Sequence, residues 1–134
     1  MDVIHVYKCL CDRQRLRILN LLRQGPLCVC HLMEILSADQ VKISKQLRYL
    51  KQLGLVESSH QAQWRVYRLV EPPSALLVEN LKCLQDLGGE SLHFKADLRK
   101  LQALVTRLRR TQAACPPPLD HPPLHQSSTA NHSR

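Results

Sequence analysis

Apolar residues recur at helical spacing along most of this chain, and the interruptions fall where helices have to stop. From Asp12 to Gln24, Leu16, Ile18, Leu19 and Leu22 supply an apolar face and Asp12 a side-chain cap, which predicts a helix. Gly25-Pro26 ends it, since Gly tolerates a left-handed stop and Pro cannot continue a helix. A second helix is predicted from Pro26–Cys28 to Leu36, with Leu32, Ile35 and Leu36 turned inward. Ser37 opens a break. Ser37-x-x-Gln40 matches a capping box and predicts a third helix from about Ala38 to Leu53. Its stripe, Ile43, Leu47, Leu50 and Leu53, keeps one face, and Gly54 is its stop.

Beyond Gly54 the period changes. Leu55-Val56-Glu57, a polar stretch from Ser58 to Gln63, and the alternating Trp64-Arg65-Val66-Tyr67-Arg68-Leu69 predict a β-hairpin with a polar tip. Two short helices, the second basic and amphipathic, followed by a hairpin describe a winged helix. Pro72-Pro73 breaks the pattern, and a helix is predicted from Ser74 to Leu87, lined by Leu77, Leu81 and Leu84 and flanked by Leu76, Cys83 and Leu87. Gly88-Gly89 is predicted as a turn. From Glu90 to Arg110, Phe94, Leu98, Leu101, Val105 and Leu108 form a heptad-like seam that needs a helical partner. Pro116-Pro117-Pro118 and Pro122-Pro123 among small polar residues predict a disordered tail. The expected fold is mainly α with a small β-hairpin: a winged helix-turn-helix with flanking dimerisation helices. Its divisions are 1–88 (DNA binding and sensing), 89–111 (a C-terminal helix for dimerisation or packing) and 112–134 (the tail).

Composition narrows the partners. The 134 residues suffice for one core, and with one Trp, three Tyr and one Phe that core is built mostly from Leu, Val and Ile. The formal net charge of +8 points to an anionic partner, nucleic acid being the usual one. No segment approaches the roughly 20 apolar residues of a membrane span. The start, Met1-Asp2-Val3-Ile4-His5, has neither a basic region nor a long apolar run. A cytoplasmic location is therefore expected, with no membrane partner and with the six cysteines as thiols rather than a disulfide frame.

The third helix carries the DNA-reading residues. Opposite Ile43 and Leu47 it sets Val41, Ser44, Lys45, Arg48 and Gln52, with Gln40 and Lys42 at its N-terminal end. N-terminal residues of a recognition helix are those that reach base edges. Gln pairs with adenine, Lys with guanine or phosphate, and Val41 suits a thymine methyl. Arg65 in the hairpin, with His60 and Gln61 near its tip, is placed for the minor groove or the phosphates. Just before this unit stands Cys28-Val29-Cys30. A thiolate pair chelates soft ions, which here means arsenite, antimonite, Cd(II), Pb(II), Cu(I) or Zn(II), and is also a redox couple. On a regular helix, residues at this spacing point apart, so the pair can close on one ion only if the helix start is unwound. A helix N-terminus is expected to lower the thiol pKa values. Met33 lies three residues after Cys30 on the same face, as a weaker thioether donor. Cys83, on an apolar helix face, is expected to pack, and Cys115 with His121, His125 and His132 falls in the tail.

These residues resemble the ArsR/SmtB family of winged-helix metal-responsive repressors. Tyr7-Lys8-Cys9-Leu10-Cys11-Asp12-Arg13-Gln14-Arg15-Leu16-Arg17-Ile18-Leu19 looks like the family's opening. Leu27-Cys28-Val29-Cys30-His31-Leu32 resembles the L-C-V-C-D-L signature of its arsenic, cadmium and lead sensors. Lys42 to Leu47, Gly54-Leu55-Val56 and Trp64 to Leu69 resemble its recognition helix and wing, so the likeness covers about residues 5 to 87. It implies a homodimeric repressor that leaves double-stranded operator DNA when the inducer binds sulfur, as in arsenic resistance. Trivalent arsenic prefers three sulfurs, and the resemblance implies Cys9 or Cys11 of a second subunit as further candidates for the third ligand beside Met33. Arg13 departs from the family's usual Pro, His31 from its acid and Met33 from its frequent third Cys. The family's D-x-H zinc motif has no counterpart from Ser74 to Leu87.

Other readings are a redox or sulfur-species sensor using Cys28 or Cys30, and a constitutive DNA-binding module with structural cysteines. No Ser/His/Asp set, carboxylate pair or phosphate-cradling Gly loop points to an enzyme, and no organic cofactor is expected.

Overall fold

The computed structural model describes residues 3–61, 64–84 and 88–111; the predicted tail and its Cys115, His121, His125 and His132 lie outside the described residues. The first described element is α1 (Val3–Leu10), a helix absent from the predicted elements, which turns Val6 and Cys9 into the core. α2 (Arg13–Leu22) follows, capped as predicted by Asp12, whose carboxylate accepts from the Arg15 backbone N–H at 3.0 Å. Gly25, at φ 146°, then turns the chain back in a conformation that a Cβ would obstruct.

The second helix departs from its predicted start. Leu27 and Cys28 form a two-residue strand, β1, and the helix α3 runs Val29–Leu36 with Cys28 as its N-cap. Leu27 and Cys28 are buried, so their backbone polar groups need partners, and the hairpin supplies them. α3 ends at Ser37, a non-glycine residue in the left-handed region at φ 51°. The predicted Ser37–Gln40 capping box is not formed. Ser37 serves the end of α3, and Asp39 caps α4 (Gln40–Gln52) by accepting from the Lys42 N–H at 2.9 Å. Ile43, Leu47 and Leu50 of α4 are fully buried against α3.

The hairpin pairs β2 (Val56–Gln61) with β3 (Trp64–Leu69), and β1 adds to the other side of β3 to make an antiparallel sheet ordered β1-β3-β2. The register sets Leu27 opposite Tyr67, Cys28 opposite Val66 and Ser58 opposite Tyr67. β2 therefore takes in residues read as tip, because an edge strand facing water tolerates Ser, His and Gln. β3 is the middle strand, and Val66, Tyr67 and Leu69 are all buried.

α5 (Ala75–Leu84) packs Leu77 and Leu81 inward and leaves Cys83 exposed, against the expectation that Cys83 packs. α6 (Gly88–Thr111) begins at the glycine pair predicted as a turn. Glycine at a helix start costs only a few tenths of a kcal/mol relative to a capping side chain. The seam of α6 is covered within the chain: Phe94, Leu101, Val105 and Leu108 are buried, joined by Leu104, where α6 crosses α2 and α3. A fork from Arg17 (Nε to Oδ2 and a terminal nitrogen to Oδ1, both 2.8 Å) grips Asp97, which is 1% exposed. Farther along, Arg107 meets Glu34 of α3 at 2.8 Å. Among the described residues, no helix is long and apolar enough to cross a membrane.

Candidate functional site

Two sites converge on α3 and α4. On α4, Gln40, Val41, Lys42, Lys45 and Arg48 are exposed, and Ser44 is partly so, on the side away from the buried Ile43–Leu47–Leu50 stripe. Val41 is 76% exposed. A valine so placed at the first turn of a basic helix has no packing role in the chain, and a thymine methyl is the kind of surface it matches. Arg65 is exposed on β3, near Ser58 Oγ (3.5 Å) and His60 Nε2 (3.1 Å). Lys51 of α4 donates to the same Ser58 Oγ at 2.9 Å, so recognition helix and wing are joined through one hydroxyl.

Behind α4 sits Arg15, which sequence reading did not single out. It donates to the Cys9 carbonyl at 2.8 Å and to Gln46 Oε1 at 3.3 Å, and its guanidinium lies 4.5 Å from the centre of the Tyr49 ring. Arginine does this because its planar fork both donates and stacks. It pins α1, α2 and α4 together.

The sulfur site lies where β1 becomes α3. Cys28 has extended backbone (φ −89°, ψ 167°), while Cys30 is one residue inside the helix. The requirement that the pair lie off a regular helix is met without distortion, since the strand–helix boundary passes between them. The candidate ligand atoms of Cys28, Cys30 and His31 lie within 4.8 Å of one another. His31 is the donor that sequence reading noted only as a departure. The clue was its position three residues after the N-cap: its Nδ1 accepts from the Cys28 N–H at 3.2 Å, and the Cys28 sulfur faces the His31 N–H in return, a capping box made with sulfur and imidazole. Two sulfurs and an imidazole without a carboxylate are a soft donor set. Of the other candidates, Cys9 is fully buried in the core, Cys11 is exposed outside this group, and Met33 is partly buried against the core.

The expected lowering of the thiol pKa does not hold at Cys28. Burial raises it, and the N–H groups of His31, Cys30 and Cys28, which oppose the rise, do not overcome it. The group is 2% exposed, and the loss of water around a thiolate outweighs the partial charge of a helix end. Cys9 is also raised, by burial, with Arg15 opposing. Among the described residues, Cys9, Cys11, Cys28 and Cys83 are free thiols, as expected. The half-exposed sulfur of Cys30 at the helix start is open to oxidation in a way that buried Cys28 is not.

The exposed basic helix, the hydroxyl-linked wing and the helix pair behind them define a winged-helix DNA-binding protein. Comparison narrows the class. The family profile described as "Bacterial regulatory protein, arsR family" matches residues 12–58. The arsenical resistance operon repressor of Escherichia coli is 35% identical over 80% of this chain and 85% of its own length. The arsenic resistance transcriptional regulator ArsR1 of Pseudomonas putida is 43% identical over 48% of this chain, which spans about half (51%) of that protein. A homodimeric winged helix-turn-helix DNA-binding domain from Mycobacterium bovis, a possible ArsR-family regulator, superposes with a TM-score of 0.53 at 29% identity, covering 62% of this chain and 74% of that one. The chain belongs to the ArsR family of transcriptional repressors, which bind DNA and are not enzymes.

Proposed function

We propose that this protein is a homodimeric repressor that releases operator DNA when a trivalent arsenical, an antimonial or a soft metal ion is held by Cys28 and Cys30, with His31 as third donor. The observation that carries the reading is the clustering of these ligand atoms within 4.8 Å at the start of α3. α3 packs on α4, which presents Gln40, Val41, Lys42, Ser44, Lys45 and Arg48, with Arg65 on the wing. The relatives named for arsenic resistance support the choice of inducer. The exposed Val3, Ile4 and Tyr7 of α1 support a second copy as partner.

The donor set needs Cys30 reduced. When Cys28, Cys30 and His31 turn their lone pairs to a common ligand, the Cys28 N–H loses its acceptor on His31 and the capping box at the start of α3 opens. Loss of a cap is worth about 0.5–2 kcal/mol, comparable to the ~1–3 kcal/mol of a typical coupling between sites. Two sulfurs suit a methylated trivalent arsenical with two open positions, and the imidazole adds a place for Cd(II), Pb(II), Zn(II) or Cu(I). Fluorescence anisotropy on an inverted-repeat operator tests this. Arsenite or Cd(II) should release the reduced protein, and Cys28→Ser should stay bound; release that is identical in Cys28→Ser defeats the reading. X-ray absorption should count two sulfurs and one nitrogen.

The partial exposure of Cys30 at the start of α3 favours a second reading, in which oxidation of Cys30 itself weakens DNA binding. Peroxide or persulfide treatment followed by mass spectrometry and anisotropy separates the two: under redox control, oxidised protein loses DNA with no metal or metalloid added.

A further inference from the structure

The C-terminal end of α2, the end of β3 and one face of α5 line an open-sided pocket of about 620 Å³, away from the sulfur cluster and the DNA-reading face. That volume falls among those of small-molecule sites, ~300–1,000 Å³. Leu22, Pro26, Leu69 and Val78 give it an apolar wall, and three cations, Arg23, Arg68 and Lys82, face two carboxylates, Glu71 and Glu79.

The cations are not equivalent. Lys82 Nζ lies 3.4 Å from Glu79 Oε1, and Arg68 donates to Ser59 Oγ at 3.1 Å. Arg23 is half-buried, and among the described residues its guanidinium has only the attraction of Glu79, with no hydrogen bond. Burial accordingly pulls its pKa below the ordinary arginine value, Glu79 opposing. A guanidinium carries five donors in a fork that matches a carboxylate. The N-terminal turn of α5, at Ala75, adds its positive end to the same wall.

We propose that this pocket binds an organic carboxylate with an apolar body, the carboxylate on Arg23 and Arg68 and the body against Leu22, Pro26 and Val78. It is a second ligand site, independent of sulfur chemistry. Its wall at Gly25-Pro26 runs directly into Leu27-Cys28, and Arg68 lies on the strand that pairs with Cys28, so the two sites share a stretch of backbone.

Benzoate is a suitable probe and benzamide its neutral counterpart, titrated into the reduced full-length chain and followed by amide chemical shifts. Benzoate should shift resonances around Arg23, Arg68 and Val78 saturably, and benzamide should bind about tenfold more weakly or worse. Arg23→Gln should weaken benzoate by about tenfold. Val78→Trp fills the space with the charges retained and should abolish binding, which keeps the idea testable if Arg23→Gln fails to fold. Equal binding of benzoate and benzamide, wild-type binding by Val78→Trp, or no saturable shift up to ~10 mM overturns the proposal.

Discussion

Cys28 is at once a cap, a strand residue and a candidate ligand, and its environment holds the proton on its sulfur. Ligation must therefore expel a proton that burial retains. Affinity for Cd(II) should strengthen as pH rises from about 6 to 8, toward the raised pKa, as competition titrations at fixed ionic strength would show. Cys9 gives the stability counterpart. Its folded pKa lies above the ordinary thiol value of about 8.5, so its contribution is fully present below that pH and is lost as pH rises through the folded value. Cys9→Ala should cost about 1 kcal/mol at neutral pH, and the gap from wild type should narrow in alkaline denaturant melts. At Ser37, φ 51° is a conformation that glycine adopts without strain, so Ser37→Gly should raise stability by up to about 1 kcal/mol in urea titrations. Single residues were unevenly legible in the sequence. Asp12 announced itself as a cap, but Ser37 and Asp39 compete within three residues for two helix ends, and only the chain path decides between them. His31 could not be assigned as a donor from its letter alone, because its role depends on Cys28 being extended.

At the scale of elements, what a periodic face predicts is that something covers it, not what. The α4 stripe was legible and is buried as expected. The α6 seam was equally legible, yet its cover is α2 and α3 of the same chain, reached by a return across most of the sequence. β1 was invisible because two residues have no period; it exists only because β3 has an open side. The Arg17–Asp97 fork between α2 and α6 is the element contact with the largest expected effect. Removing Arg17 leaves the buried Asp97 carboxylate unpaired, so Arg17→Met should cost ~3–5 kcal/mol, and adding Asp97→Leu should recover part of it, both read by thermal unfolding. On α4, Lys45→Ala should weaken operator and random DNA alike and lower the salt slope of binding by about one phosphate contact. Val41→Ala should instead narrow the difference between the two DNAs.

For the whole molecule, the winged helix was readable because cap, stripe, stop and hairpin agreed over the first half of the chain. Its assembly was not, since the seam that suggested a partner is filled from within. In the proposed homodimer, the exposed Val3, Ile4 and Tyr7 of α1 are the surface offered to the second copy. Tyr7→Glu should shift the protein toward monomer in sedimentation experiments and weaken its operator binding in parallel.

The pairing of Cys28 with Val66 has a consequence for how such a chain can change over evolution. In a pleated strand, adjacent side chains face opposite ways, so adding or deleting one residue between Gly25 and Cys28 would present the sulfur to the wrong side of the sheet while every ligand stayed in the sequence. Point substitutions around the cysteines can retune what is bound. Insertions there would lose the register, so under the proposed function the length of that short connection matters as much as the sulfurs it carries.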